Sequence, residues 1–144
     1  MIAGFERVLI IGLGKSGRSS ARVLTGLGAK IWATDESSEE NLASALAELK
    51  KLDATFVAAG KIEEILGELD AAVLSPGVPL NSQLVRRVQS ARVPVYSEIE
   101  LAFRLCKAPI IALTGTKGKT TTTALVGHIL RGANKKARVG GNIG

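Results

Sequence analysis

Aromatic residues make up only 3% of the 144 residues, and the chain has a single cysteine and a single histidine. Each scarcity closes a class of function. Cys106 alone excludes an intramolecular disulfide and any multi-cysteine metal site. With so few aromatics there is little to stack on bases, so nucleic acid is not an expected partner. No run of about 18 apolar residues occurs, so no transmembrane helix and no membrane partner are expected. The first residues, MIAGFERVLIIGLG, do not resemble a signal peptide, because the apolar stretch is short and broken by Glu6 and Arg7. A cytoplasmic location is the expectation. Acidic residues are also missing from one region: residues 101–144 hold eight Lys and Arg but no Asp or Glu, whereas residues 1–100 hold 11 basic and 13 acidic residues. Such asymmetry points to an anionic ligand near the basic stretch.

What is present is an ordinary globular composition, 46% hydrophobic and 22% charged, in a chain of about one domain's length. Short β-rich runs alternate with amphipathic stretches, the pattern of βαβ units around a parallel sheet. Strands are expected at 7–11, 30–34, 54–58, 71–74, 93–96 and 110–114, with a last one near 137–139. Helices are expected at 16–27, 38–51, 82–90 and 97–105, with a short helix or loop over 60–70. Leu42, Leu46 and Leu49 mark one buried helix face, and Ser37 or Ser38 followed by Glu40 reads as its capped start. The predicted fold class is α/β. A Rossmann-like parallel-sheet domain (1–96) leads through a linker helix (97–108) into a P-loop unit (109–144) that opens an incomplete second α/β domain. The chain therefore reads as truncated.

Two glycine-rich turns carry the chemistry. Gly12-Leu13-Gly14-Lys15-Ser16-Gly17 follows a strand, opens a helix and fits G-x-G-x-x-G, so backbone can approach a phosphate at a helix N-terminus. Asp35 lies 21 residues past Gly14, at the end of the next strand, where an acid can bind a ribose hydroxyl or a base edge. Glycine turns of this kind also occur purely for packing; with the strand, the helix and Asp35 in place the pattern points to a nucleotide or other phosphate-bearing ligand without choosing the nucleotide. The second turn, Thr114 to Thr121, contains Gly118-Lys119-Thr120, the core of a P-loop. Its backbone N–H groups suit phosphates, Lys119 suits β/γ oxygens and the Thr120 hydroxyl suits Mg²⁺. The strict template places glycine where this chain has Leu113, and Gly115 gives a shorter variant. Ser75-Pro76-Gly77 ends the fourth strand at the same sheet edge as the Gly12 loop, although a plain turn explains it as well. Cys106 reads as a small buried hydrophobe and His128 as a packing or surface residue.

Together, VLIIGLGKSG at 8–17, LSPG at 74–77, SEIEL at 97–101, GTKGKTTT at 115–122 and GGNIG at 140–144 resemble the Mur ligase family over the entire chain. Among that family's reactions, the Gly12 loop, the Ser75-Pro76-Gly77 turn and the Gly-Gly-Asn-Ile-Gly segment point to addition of D-glutamate to UDP-N-acetylmuramoyl-L-alanine in peptidoglycan synthesis. The resemblance implies a Rossmann-like domain for the UDP part of the substrate, a central ATPase, and a C-terminal domain for the amino acid. It also implies a protein that is a monomer at full length. ATP with Mg²⁺ would activate the substrate carboxylate as an acyl phosphate, which the incoming amine attacks. Carried over position by position, Gly14, Lys15 and Ser16 would contact the UDP-sugar, Asp35 and Glu36 the uracil, and Gly77 the wall of that site. Asn142 would reach the UDP-sugar as well. Gly115, Thr116, Lys117, Gly118, Lys119, Thr120 and Thr121 would hold ATP, with Lys119 and Thr120 catalytic and Thr120 on the metal. Lys117 stands where the family commonly has asparagine. The resemblance implies that the remaining Mg²⁺ ligands lie outside these residues and that the chain alone is inactive. Outside this reading stand an NAD-binding Rossmann regulatory module, a small P-loop phosphotransferase and another member of the same family.

Overall fold

The computed structural model describes residues 4–141, which form two units divided between Cys106 and Lys107. In the first unit, five parallel strands are arranged in the order β3-β2-β1-β4-β5. They are β1 (Arg7–Ile11), β2 (Lys30–Thr34), β3 (Thr55–Phe56), β4 (Ala71–Leu74) and β5 (Val95–Ser97). The connecting helices are α1 (Lys15–Gly26), α2 (Glu39–Lys51), α3 (Glu63–Leu66), α4 (Gln83–Ser90) and α5 (Glu98–Leu105). A single 3₁₀ turn, Ala59–Lys61, precedes α3.

The sheet is covered on both faces because its central strand is apolar at every inner position. Val8, Leu9, Ile10 and Ile11 are all fully buried. Successive side chains alternate between faces. Val8 and Ile10 join Leu24, Leu42, Leu49 and Leu101 under α1, α2 and α5. Leu9 and Ile11 join Trp32, Ile62, Leu84 and Val88 on the opposite face, under α3 and α4. Each such aliphatic side chain contributes about 1.5–3 kcal/mol on burial, which makes these two layers the largest favourable contribution to this unit's stability. Helix α5 belongs to it through Leu101, which is 2% exposed. Its N-cap Ser97 accepts a hydrogen bond from the Glu100 N–H at 3.1 Å.

Two groups of polar contacts join elements at the surface of this unit. At the strand starts, the Arg7 guanidinium and backbone N–H all bond the Asp70 carboxylate, at 2.8–3.3 Å, and hold that carboxyl below its usual range. They tie the start of β1 to the start of β4, where Val8 pairs with Ala71. Glu48 of α2 takes Arg22 at 2.5 Å and Arg18 at 3.4 Å, linking α2 to α1.

The expected bounds of β1, β2 and β4 hold as stated. The outer strands β3 and β5 are shorter or shifted, since each has one neighbour only. The expected serine–glutamate capping box of α2 does not form: Ser38 is the N-cap without a side-chain bond, and the Ser37 N–H donates to Asp35 instead. Cys106 is exposed, a correction to its reading as buried, because it follows the last core residue of α5.

In the second unit one helix, α6 (Lys119–Gly132), is formed. Residues 110–114 and 137–139 are not strands, against expectation. A strand draws its hydrogen bonds from a neighbouring strand, and among the described residues no strand pairs with either segment. Ile110, Ile111 and Leu113 are accordingly exposed. After α6 the chain folds back, with Val139 against Gly127, where a Cβ would lie 2.3 Å from the valine methyl. Among the described residues no helix is long and apolar enough to cross a membrane.

Candidate functional site

The strand order reverses between β1 and β4: the chain builds outward from β1 to β3 on one side, then crosses back to β4 and β5 on the other. At such a point the loops leaving neighbouring strands diverge and open a crevice at their carboxyl ends. The Gly12 turn leaves β1 there and Ser75-Pro76-Gly77 leaves β4. The crevice contains a cavity of about 340 Å³ whose lining includes Gly14, Lys15, Ser16, Asp35, Ser75 and Gly77. A second cavity of about 280 Å³ adjoins it, walled by Ile11, Val78, Pro79 and Leu84 and by Asp35, Glu36 and Ser37. The first is set on a helix N-terminus, with Lys15, Ser16 and Asp35 in its lining; the second has Ile11, Val78 and Leu84 on one side and Asp35 and Glu36 at its rim.

Close packing dictates two of the three glycines, Gly12 and Gly17. Gly12 has φ +90°, and a Cβ there would meet the Val78 side chain at 2.6 Å. A Cβ on Gly17 would lie 1.9 Å from the Gly12 carbonyl oxygen and 2.6 Å from the Ser75 Oγ. Gly14, the N-cap of α1, faces open space with nothing within 4 Å of a Cβ. The N–H groups of the first turn, at Lys15, Ser16 and Gly17, have no acceptor within the helix, and no acidic side chain occupies that turn. Together with the Lys15 ammonium they make this end of the crevice positive.

Asp35 stands opposite. Its Oδ2 accepts the Leu13 N–H at 2.6 Å and its Oδ1 the Ser37 N–H at 2.8 Å. Burial pushes the Asp35 carboxyl up, but the hydrogen bonds from Leu13 and Ser37 outweigh it and hold the group below its ordinary value. Glu36 and Gly77 are exposed beside it. The Ser75 hydroxyl, 5% exposed, donates to the Gly12 carbonyl at 2.7 Å.

The fold thus brings together Gly14, Lys15, Ser16, Asp35, Glu36 and Gly77 from three separate loops. Asn142 lies outside the described residues. Ser37, expected only as a helix cap, and Val78 also line the crevice, and Ser75 braces its glycine turn. Ser75 alone carried a signal for the site, a serine at a strand end level with a glycine turn.

The remaining expected residues belong to the second unit. Gly118, with φ +76°, caps α6, and the Lys119 Nζ curls back over the loop to donate to the Gly115 carbonyl at 2.5 Å. Thr116, Lys117, Thr120 and Thr121 are exposed around the same turn. A left-handed glycine, a helix N-terminus and an ammonium over one loop are the parts a phosphate chain requires. Among the described residues no three His, Cys, Asp or Glu side chains gather as metal ligands.

The sequence profile of the Mur ligase MurD-like N-terminal domain matches residues 6–97. The chain belongs to that family. Two Mur ligase relatives are each 46% identical over 139 residues, 96% of this chain: the UDP-N-acetylmuramoylalanine--D-glutamate ligases of Caldanaerobacter subterraneus subsp. tengcongensis and Trichlorobacter lovleyi. The chain spans about a third of their length, 31%. Among solved structures, its fold is that of a Neisseria meningitides ligase, UDP-N-acetylmuramate:L-alanyl-gamma-D-glutamyl-meso-diaminopimelate ligase. That likeness has a TM-score of 0.60 at 18% identity, over 90% of this chain and 40% of the other. A pseudomurein peptide ligase type C from Methanothermus fervidus is similar, with a TM-score of 0.58 at 22% identity over 88% of this chain and 26% of the other.

Proposed function

We propose that this Mur ligase chain supplies the UDP-substrate half-site, and the start of the ATP site, of a cytoplasmic ligase that joins D-glutamate to UDP-N-acetylmuramoyl-L-alanine. The observation that carries the reading is the pair of adjoining cavities at the β1/β4 switch point. The cavity under the N-terminus of α1 suits a diphosphate, with the Lys15 ammonium, the Ser16 hydroxyl and the backbone at Gly14 around it. The neighbouring cavity suits a base, with Ile11, Val78 and Leu84 as an apolar wall and Asp35 and Glu36 at its edge. Gly77 closes the side shared by both. Asn142 is assigned to the UDP-sugar by family resemblance alone. The 46% identity with D-glutamate ligases favours that amino acid over the others the family uses.

The chemistry needs a phosphoryl donor, and ATP supplies the group that activates the substrate carboxylate towards the amine. Lys119 would neutralise its phosphate oxygens, Thr120 would take Mg²⁺, and the backbone from Gly115 to Thr121 would cradle the phosphates. Residues 101–144 contain no Asp or Glu, and the chain spans 31% of the length of its relatives. On this reading the 144 residues by themselves bind substrate without turning it over.

Calorimetric titration of the chain with UDP-N-acetylmuramoyl-L-alanine tests the reading, with NAD⁺ in parallel. Saturable binding of the UDP-sugar and none of NAD⁺ is expected. Tight NAD⁺ binding with none of the UDP-sugar would replace the ligase reading by a dinucleotide-binding regulatory module.

A further inference from the structure

The peptide unit joining Gly12 to Leu13 is held at both edges. Its carbonyl accepts the Ser75 hydroxyl at 2.7 Å, and its N–H donates to Asp35 Oδ2 at 2.6 Å. The two anchors end β4 and β2, the strands on either side of β1. Both anchors are themselves fixed. The Ser75 N–H donates to the Ile11 carbonyl at 2.9 Å, and the second Asp35 oxygen accepts the Ser37 N–H at 2.8 Å. A peptide plane held on one side can still tilt about that bond. Held on both, it cannot turn without breaking one of them. The residues that follow directly, Gly14, Lys15 and Ser16, line the larger cavity.

We infer that Asp35 and Ser75 are positioning residues of the phosphate site, aiming the Gly14–Ser16 turn by clamping the Gly12–Leu13 peptide between β2 and β4. This rests on the proposed reading of the crevice as the UDP site.

The inference reverses the sign that simple electrostatics gives for Asp35. A carboxylate beside an anion site repels the ligand, so on charge alone Asp35→Asn tightens anion binding. The clamp requires the opposite. Both Asp35 oxygens accept a backbone N–H, whereas an asparagine has one oxygen and an amino group, so either Leu13 or Ser37 loses its acceptor. A turn that spends less time in the competent orientation binds more weakly by that fraction.

The test uses the whole 144-residue chain with two probes: UDP, and inorganic pyrophosphate, which has neither base nor ribose for Asp35 to touch. Affinities are measured for the wild type, Asp35→Asn, Ser75→Ala and the double variant, with a melting curve for each. Asp35→Glu serves as a second variant, because it keeps the charge and displaces the oxygens. Each single change is expected to lower pyrophosphate affinity about three- to tenfold, the loss of one hydrogen bond's worth of orientation. The double variant should lose less than the product of the single losses, because both residues act on one peptide plane. Equal or tighter pyrophosphate binding by Asp35→Asn overturns the clamp, and so do losses that multiply, which mean two independent contacts. A wild type that binds no UDP overturns the reading of the site itself. One that binds UDP while the variants match it in pyrophosphate affinity overturns the clamp alone.

Discussion

Gly17 approaches the carbonyl oxygen of Gly12 so closely that a Cβ added at 17 would sit 1.9 Å from that oxygen. The contact lets the first turn of α1 lie directly on the end of β1, and it brings the unpaired N–H groups of that turn to the mouth of the crevice. Gly17→Ala must therefore push the helix away or break the turn. Overpacking of this kind costs about 1–3 kcal/mol. A urea unfolding curve should show a clearly lowered midpoint with an unchanged slope; an unmoved midpoint would mean that α1 is not seated as described.

Gly14 makes the opposite prediction from the same motif. Its backbone, φ −64° and ψ −174°, is open to any residue, and no atom lies within 4 Å of where a Cβ would be. Gly14→Ala should fold with a stability loss below about 1 kcal/mol, the scale of a changed N-cap. UDP affinity should nevertheless fall at least tenfold, because the methyl group projects into the space assigned to the phosphates. Calorimetry and thermal melting of the same sample separate the two effects, and undiminished affinity would remove Gly14 from the site.

Acid should loosen the crevice through Asp35. Its carboxyl lies below its ordinary value in the folded chain, with burial opposing and the hydrogen bonds from Leu13 and Ser37 prevailing. A depressed folded value means that the folded state binds this proton less readily than the unfolded state. The stabilisation is complete above the unfolded carboxyl's value, near pH 3.9, and is lost as pH falls through the lower folded one. Stability measured from pH 6 down to pH 2 should thus fall more steeply for the wild type than for Asp35→Asn. Parallel curves would show that the hydrogen bonds do not discriminate between the charged and neutral group.

Lys119 offers a test of the division into two units. The first unit has its own two-layer core and holds every described residue of the crevice. Lys119→Ala should leave UDP affinity within about twofold of the wild type while abolishing any protection of the 115–121 loop by ATP. Amide exchange with and without each nucleotide reads both outcomes. A loss of UDP binding would place Lys119 in the wrong site.

The legible part of this molecule is the part governed by neighbours along the chain. Arg7–Ile11, Lys30–Thr34 and Ala71–Leu74 are evident as strands because nearly all-apolar runs suit strands covered on both faces. Leu42 and Leu49 showed the buried side of α2 by spacing alone. The run at 110–114 carried the same signal and formed no strand, since the hydrogen bonds that define one belong to a partner. The site followed the same division. Gly12, Gly14, Gly17 and Asp35 stood out by spacing. Ser37, whose spacing suggested a helix cap, and Val78, without a motif, became recognisable as walls of a cavity only in the folded chain.

By itself, then, the amino-acid order determined where the chain extends, where it coils and which turns can approach a phosphate, because period and glycine placement act over a few residues. Tertiary structure alone decided that β4 returns to the far side of β1. That return sets Ser75 against Gly12 across 63 positions, as Asp35 is set against Leu13 across 22. Such bonds form only after the sheet has closed the distance, and no local pattern encodes which strand end will meet which.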